Sequence, residues 1–283
     1  MRIHHLGCGS FCPNGARLIE GEGGWFEQAH TICHCLLLET NEGLVLVDTG
    51  FGMDDARDPG QLGLVFRALM RPQPSAAEAA LTQIAALGFA ATDVRHIVAT
   101  HLDLDHAGGL PDFPDAEVHV FAPELQAALH PSLRDRSRYI GGAHWRHEPR
   151  WVTHEACGDE WLGFESVRIL PGIDAEVLLV PLLGHSRGHT AVAVRTDDSW
   201  LLHCGDAYFH HDELANPPSC PPMLAFFQSL VAADNAARKA NQERLRELAA
   251  RHGEKVTLFC GHDRHELERE QRRSAAGAAA AGG

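Results

Sequence analysis

Apolar runs that stop abruptly at coordinating side chains constrain this chain more than any other feature of its sequence. The clearest case follows Val94–Thr100, where the chain reads His101-Leu102-Asp103-Leu104-Asp105-His106-Ala107-Gly108-Gly109. Four potential metal ligands fall within six residues. In an extended segment His101, Asp103 and Asp105 share one face, with Leu102 and Leu104 as anchors on the other. Gly108-Gly109 is expected to turn the backbone tightly so that the side chains converge. A solvated charged loop has no reason to alternate apolar and coordinating residues in this way.

Three later runs end in the same manner. Val180–Leu183 leads into Gly184-His185-Ser186-Arg187-Gly188-His189, Leu201–Leu202 into His203-Cys204-Gly205-Asp206, and Leu258–Phe259 into Cys260-Gly261-His262-Asp263. Earlier, Leu44–Val47 ends at Asp48. The chain holds 20 histidines, and histidine is the commonest metal ligand, so their placement at these ends matters more than their number.

Between these ends, strand and helix patterns alternate. Strands are predicted at Ile32–Glu39, Leu44–Asp48, Val94–Thr100, Glu117–Phe121, Val177–Pro181, Ala191–Arg195, Trp200–His203 and Lys255–Cys260. A helix capped by Ser75 is predicted through Leu87, and a long helical region over Met223–Arg251. The alternation predicts one α/β domain over residues 1–273, since no linker or repeat divides it. Ser274–Gly283 is only Ser, Ala and Gly, and reads as a disordered tail.

Composition removes several classes of function. A hydrophobic share of 45% and a charged share of 22% suit a soluble globular chain and exclude a disordered one. The net charge of −14, from 24 basic and 38 acidic residues, disfavours nucleic acid and anionic membrane as partners. The longest apolar runs, such as Cys35–Leu38, fall far short of the roughly 18 residues of a membrane span. The start Met1–Gly7 lacks an apolar secretory core, and the eight cysteines show no C-x2-C pair, so the expectation is a cytoplasmic protein with reduced thiols.

The ordered set resembles the metallo-β-lactamase superfamily from about Ile32 to His262: an early Asp48, then His101 to His106, His185, Asp206 and His262. Gly-His-Ser-x-Gly-His, followed by Asp-Ala and Gly-His-Asp, is most similar to the N-acyl-homoserine-lactone lactonases and their relatives. The resemblance implies an αββα sandwich of two mixed sheets flanked by helices, with two divalent ions, zinc above all, at one edge. It implies a first ion on His101, residue 103 and His185, a second on Asp105, His106 and His262, and Asp206 bridging. It further implies hydrolysis of a small-molecule lactone or ester. A glyoxalase II-like thioesterase, a non-hydrolytic sensor and a di-iron redox protein are the alternatives on the same fold.

Asp103 departs from the family, whose pattern has histidine there. An extra carboxylate hardens the first site towards manganese or iron, and resembles the H-x-E-x-D-H of the flavin-partnered di-iron branch. By family analogy Asp105 is also a proton shuttle, while Asp48 and His189 orient ligands. Tyr208 is a candidate to donate its hydroxyl to the substrate carbonyl, although the lactonase tyrosine lies three residues after the bridging aspartate and Tyr208 only two. An insertion around 131–165 carries Arg134, Arg136, Arg138 and three of the five tryptophans, and reads as either a lid or a solvated excursion. The Met223–Phe227 patch suits a pocket wall, a helix core or the surface of a homodimer.

Overall fold

The apolar alternation of the N-terminal half builds a seven-stranded sheet. Its strands are β1 (Arg2–Phe11), β2 (Thr31–Thr40), β3 (Gly43–Val47), β4 (Pro72–Gln73), β5 (Val94–Val98), β6 (Glu117–Phe121) and β7 (Arg150–His154), in the order β4-β1-β2-β3-β5-β6-β7. The chain then crosses to a six-stranded sheet of β8 (Asp159–Trp161), β9 (Phe164–Ile169), β10 (Val177–Pro181), β11 (Thr190–Arg195), β12 (Trp200–His203) and β13 (Val256–Phe259). Strands β3, β5, β6 and β7 run parallel, as do β12 and β13; the other main pairs are antiparallel. This computed structural model describes residues 1–281.

Strand side chains alternate between faces, so each sheet offers two apolar surfaces. Leu36, Leu38, Val45, Val47 and Val98 of the first sheet pack against Val167, Ile169, Val177, Leu179, Val192 and Val194 of the second. The outer face of the first sheet, with Leu37, Leu46, Ile97 and Val118, is covered by Ile84 and Leu125 from helices Ala80–Ala86 and Ala122–Leu129. Leu245 and Leu248 of helix Asn235–His252 cover Leu178, Val180 and Leu202 of the second. The layers are helix, sheet, sheet, helix, as expected.

The departures have local causes. Strand β1, its sequence interrupted by Gly7 and Gly9, shows no clean alternation, yet it pairs with β2 along most of its length. The helix expected from Ser75 starts only at Ala80, because Glu78 and Ala79 donate to the Ser75 carbonyl in a preceding turn. The long helical region is two helices, Pro222–Val231 and Asn235–His252; Asp234 Oδ1 accepts from the N–H groups of Ala236 and Ala237, both at 3.0 Å, and starts the second. Of the insertion, residues 131–149 form turns and short helices, whereas Arg150–His154 and Asp159–Trp161 join the sheets. Trp161 is buried against Trp200, with ring centres 5.3 Å apart, which fixes the return of the segment. The expected tail falls in helix Arg264–Ala281, in keeping with the high helix propensity of alanine; residues 282 and 283 lie outside the described residues.

Asp234 is a helix cap that a side chain without an acceptor oxygen does not replace. Asp234→Ala should lower the unfolding free energy by about 1 kcal/mol, seen as a lower urea midpoint at unchanged slope.

Candidate metal centre

Asp48, His101, His185, Asp206 and His262 all sit just beyond the C-terminal ends of strands, after β3, β5, β10, β12 and β13. That common placement brings residues distant in sequence to one edge of the sandwich. The loop after β5 is extended only as far as Asp103; Leu104–Ala107 is one helical turn, so Asp105 and His106 enter from a helix rather than from the expected extended register. The glycines that follow have ordinary negative φ, −60° at Gly108 and −87° at Gly109. They are required by close approach instead: a Cβ on Gly108 would lie 2.3 Å from Asp55 Oδ2, and one on Gly109 3.0 Å from Thr49 Cβ.

The side chains form two clusters that meet at Asp206. In the first, Asp103 Oδ2 lies 3.5 Å from His101 Nε2 and 3.1 Å from His185 Nε2. Asp206 Oδ2 lies 3.8 and 3.3 Å from the same two nitrogens. In the second, His106 Nε2 is 3.4 Å from His262 Nε2, and Asp206 Oδ1 is 3.2 and 3.1 Å from them. Asp105 Oδ2 completes it at 3.7 and 3.4 Å from these nitrogens. A tetrahedral ion with bonds of about 2.0–2.1 Å separates its ligand atoms by roughly 3.3–3.4 Å, so both clusters have the spacing of an ion's ligands.

Hydrogen bonds behind the rings settle which nitrogen faces inward. His106 Nδ1 donates to Asp48 Oδ2 at 2.8 Å, and His262 Nδ1 to the Ile32 carbonyl at 2.8 Å. Thr100 donates its hydroxyl to Asp48 Oδ2 at 2.7 Å, so it accepts from His101 Nδ1 at 2.9 Å. Each ring therefore turns its Nε2 inward towards carboxylates, where it can ligate an ion. Against the effect of burial, Asp206 pushes His106 and His262 up. Buried His101 Nε2, Asp103 Oδ1 and Asp206 Oδ1 have no hydrogen-bond partner. Buried acceptors facing acceptors are costly unless a cation lies among them. His189 stands one step back: its Nε2 accepts from the Asp206 N–H at 2.9 Å, and its Nδ1 donates to the Leu182 carbonyl.

Asp103 has a second partner, one of the three arginines named in the insertion. Arg138, from the insertion, donates through Nη1 to Asp103 Oδ2 at 2.5 Å and to His185 Nε2 at 2.9 Å. Its Nη2 donates to the carbonyls of Val231 and His185. Burial pushes the Asp103 carboxyl up, but Arg138 and then His101 hold it well below the usual carboxylate range. The guanidinium thus offsets the extra charge that Asp103 brings, and it competes with any ion for two first-cluster ligands.

Tyr208 does not reach this edge. It is fully buried beside Leu245 and Leu258, and its hydroxyl donates to the Glu266 carboxylate at 3.0–3.1 Å. Burial and the neighbouring Asp263 push that carboxyl up to about 7. The expected substrate-facing role is corrected: the phenol is a core group. Three residues after Asp206 stands Phe209, whose ring lies 5.0 Å from that of His262 and 5.8 Å from that of His185. Cys33, in β2, has its thiol within 4.8 Å of Asp105 and His262 ligand atoms, and burial pushes that thiol well up.

Comparisons with known proteins identify the family and the fold. A family model described as metallo-beta-lactamase superfamily matches residues 30–262. A probable metallo-hydrolase of Mycobacterium tuberculosis is 44% identical over 264 residues, 93% of this chain and 80% of that protein. An N-acyl homoserine lactonase of Azorhizobium caulinodans is 30% identical over 270 residues, 93% of each chain. Among solved structures, a B. thuringiensis lactonase variant with N-decanoyl-L-homoserine bound at the active site superposes with a TM-score of 0.71, at 22% identity and 95% of both chains. No helix among the described residues is long and apolar enough to cross a membrane.

Arg138→Met removes the competitor at His185 and Asp103. Since a hydrogen bond to a charged group contributes about 1.5–3 kcal/mol, zinc affinity of the first cluster should rise by roughly tenfold or more in a titration of the stripped protein. A fall in that affinity would show the guanidinium to be a support for the cluster and not a competitor.

Proposed function

The chain is a metal-dependent hydrolase of the metallo-beta-lactamase superfamily, and we propose that it opens a lactone or carboxylic ester bond at a dinuclear centre. In this reading His101, Asp103 and His185 hold one ion, Asp105, His106 and His262 the other, and Asp206 spans both. The observation that carries it is the pair of acceptor clusters whose spacings suit ions and whose shared corner is the two oxygens of one carboxylate. When bound, two divalent ions sharing a water lower its pKa towards neutrality and polarise a substrate carbonyl. Zinc is the ion proposed, because each site offers two imidazole nitrogens beside its carboxylates and Arg138 offsets the charge that pointed towards manganese or iron.

The chain's own groups supply the rest. Asp105 is the most open of the second cluster at 9% exposure, and it is placed to take a proton from water and pass it to the leaving oxygen. Phe209 presents a ring without a hydroxyl, so the substrate meets an apolar wall there instead of a phenol donor. Phe11 packs on His262 at 5.7 Å and on Phe66 at 5.7 Å, while Phe227 lies 6.2 Å from Phe209. These rings extend the wall onto helices Leu64–Met70 and Pro222–Val231, which suits an apolar acyl chain. The lactonase named above supports the lactone reading. The sensor and di-iron redox alternatives arose from Asp103 in place of a histidine; the rest of the ligand set, gathered around Asp206, favours hydrolysis.

A screen of zinc-loaded protein across acyl lactones of increasing chain length, aryl esters, thioesters and β-lactams tests the reading. The expected result is the highest kcat/KM for a lactone or ester, rising with acyl length. Asp105→Asn should reduce turnover by about 100-fold or more. Hydrolysis confined to thioesters, or an undiminished Asp105→Asn enzyme, would overturn it.

A further inference from the structure

Histidines also gather on the first sheet, away from the centre just described. Register sets His96 against Glu117, Val98 against His119, and Phe121 against His154 on three adjacent parallel strands. Alternate residues share a face, so His96, Glu117, His119 and His154 all lie on the side to which Val98 points. His96 Nδ1 is 3.1 Å from His119 Nε2 and 3.6 Å from Glu117 Oε2, and the ligand atoms of these three residues lie within 4.8 Å of one another. His119 Nδ1 is 3.0 Å from His154 Nε2, with the two rings stacked at 18°. The sets around Asp206 hold His101, His106, His185 and His262 and none of His96, Glu117, His119 or His154, so this cluster is separate from the hydrolytic centre.

We propose that His96, Glu117 and His119 form a further metal site for a borderline divalent transition ion such as zinc, with His154 as the outer partner that orients His119. The first two spacings are near the roughly 3.3–3.4 Å edge of a tetrahedral zinc site. With His119 in the tautomer that donates through Nδ1 to His154, its Nε2 is a lone pair towards His96, the arrangement of a ligating imidazole with an outer acceptor. Two imidazoles and one carboxylate suit zinc and its neighbours, not calcium or magnesium. Burial also keeps the rings free of protons: it pushes His119 down to about 3 and lowers His96 and His154. Part of Glu117 and of His96 reaches solvent, so an ion can enter and keep a water as its fourth ligand. Bound there, it would clip β5 to β6, and through His154 hold the edge strand β7 that returns from the insertion.

The competing account is a row of neutral imidazoles sharing protons, in which Glu117 has no part. Wild type, His96→Gln and Glu117→Gln are dialysed to equilibrium against buffered zinc and their zinc content per chain is measured, together with thermal unfolding and hydrolysis. Each variant should hold one zinc fewer than wild type and lose part of the zinc-dependent rise in Tm, with turnover unchanged. Because the comparison is a difference, it does not depend on how full the hydrolytic centre is, or on what that centre hydrolyses. If His96→Gln fails to fold, Glu117→Gln carries the test, since a proton-sharing row is indifferent to it. Equal zinc content in wild type and Glu117→Gln overturns the proposal.

Discussion

Imidazoles and carboxylates crowded edge to edge in a buried site, around the two oxygens of Asp206, are the constraint on which this molecule is built. The Nε2 atoms of His106 and His262 face each other at 3.4 Å, and each also faces an Asp206 oxygen. Such an arrangement repels itself in a buried site and persists only if the surroundings fix every ring and a cation completes it. Asp48, Thr100, the Ile32 carbonyl and His189 do that fixing, each through a hydrogen bond to the far side of a ligand or to its backbone. Asp48 holds a positive φ of 55°, backbone strain that the Thr100 and His106 hydrogen bonds maintain.

A second buried carboxylate joins the two ligand loops. Glu124 is fully buried; it accepts from the Leu102 N–H at 3.0 Å, from Ser186 Oγ at 2.6 Å, from the Gly188 N–H at 2.9 Å and from the Tyr139 hydroxyl at 3.2 Å. The loop carrying His101 and the loop carrying His185 are thereby hung from one side chain. Gly188 is obligatory there, because a Cβ would come within 2.1 Å of the Glu124 nitrogen. The insertion is tied to the same place by Tyr139 and Arg138, so the part of the chain least regular in structure touches the first cluster.

How much of this could be read beforehand depended on whether a signal was local. The αββα layering follows from strand and helix periods within windows of a few residues. His185, Asp206 and His262 each follow a glycine at the end of an apolar run, and His101, Asp105 and His106 crowd into one such end, so their candidacy is written in the residues themselves. Other contacts depend on pairings across long separations, which no spacing encodes. Arg138 meets Asp103 over 35 residues and His185 over 47. Glu124 looks like an ordinary residue in the first turn of a helix, and its role exists only because two other loops arrive at it. Tyr208 and Phe209 show the limit of motif register, since one residue decides which ring enters the core and which faces the histidines.

The account stands on one claim, that a cation completing these acceptor clusters is what makes the chain a hydrolase. The direct measurement is turnover on the best substrate before chelation, after exhaustive chelation, and after zinc is returned, with folding followed by circular dichroism throughout. The account predicts that chelated protein stays folded but loses hydrolysis, and that zinc restores it. Full turnover by folded, metal-free protein would contradict it.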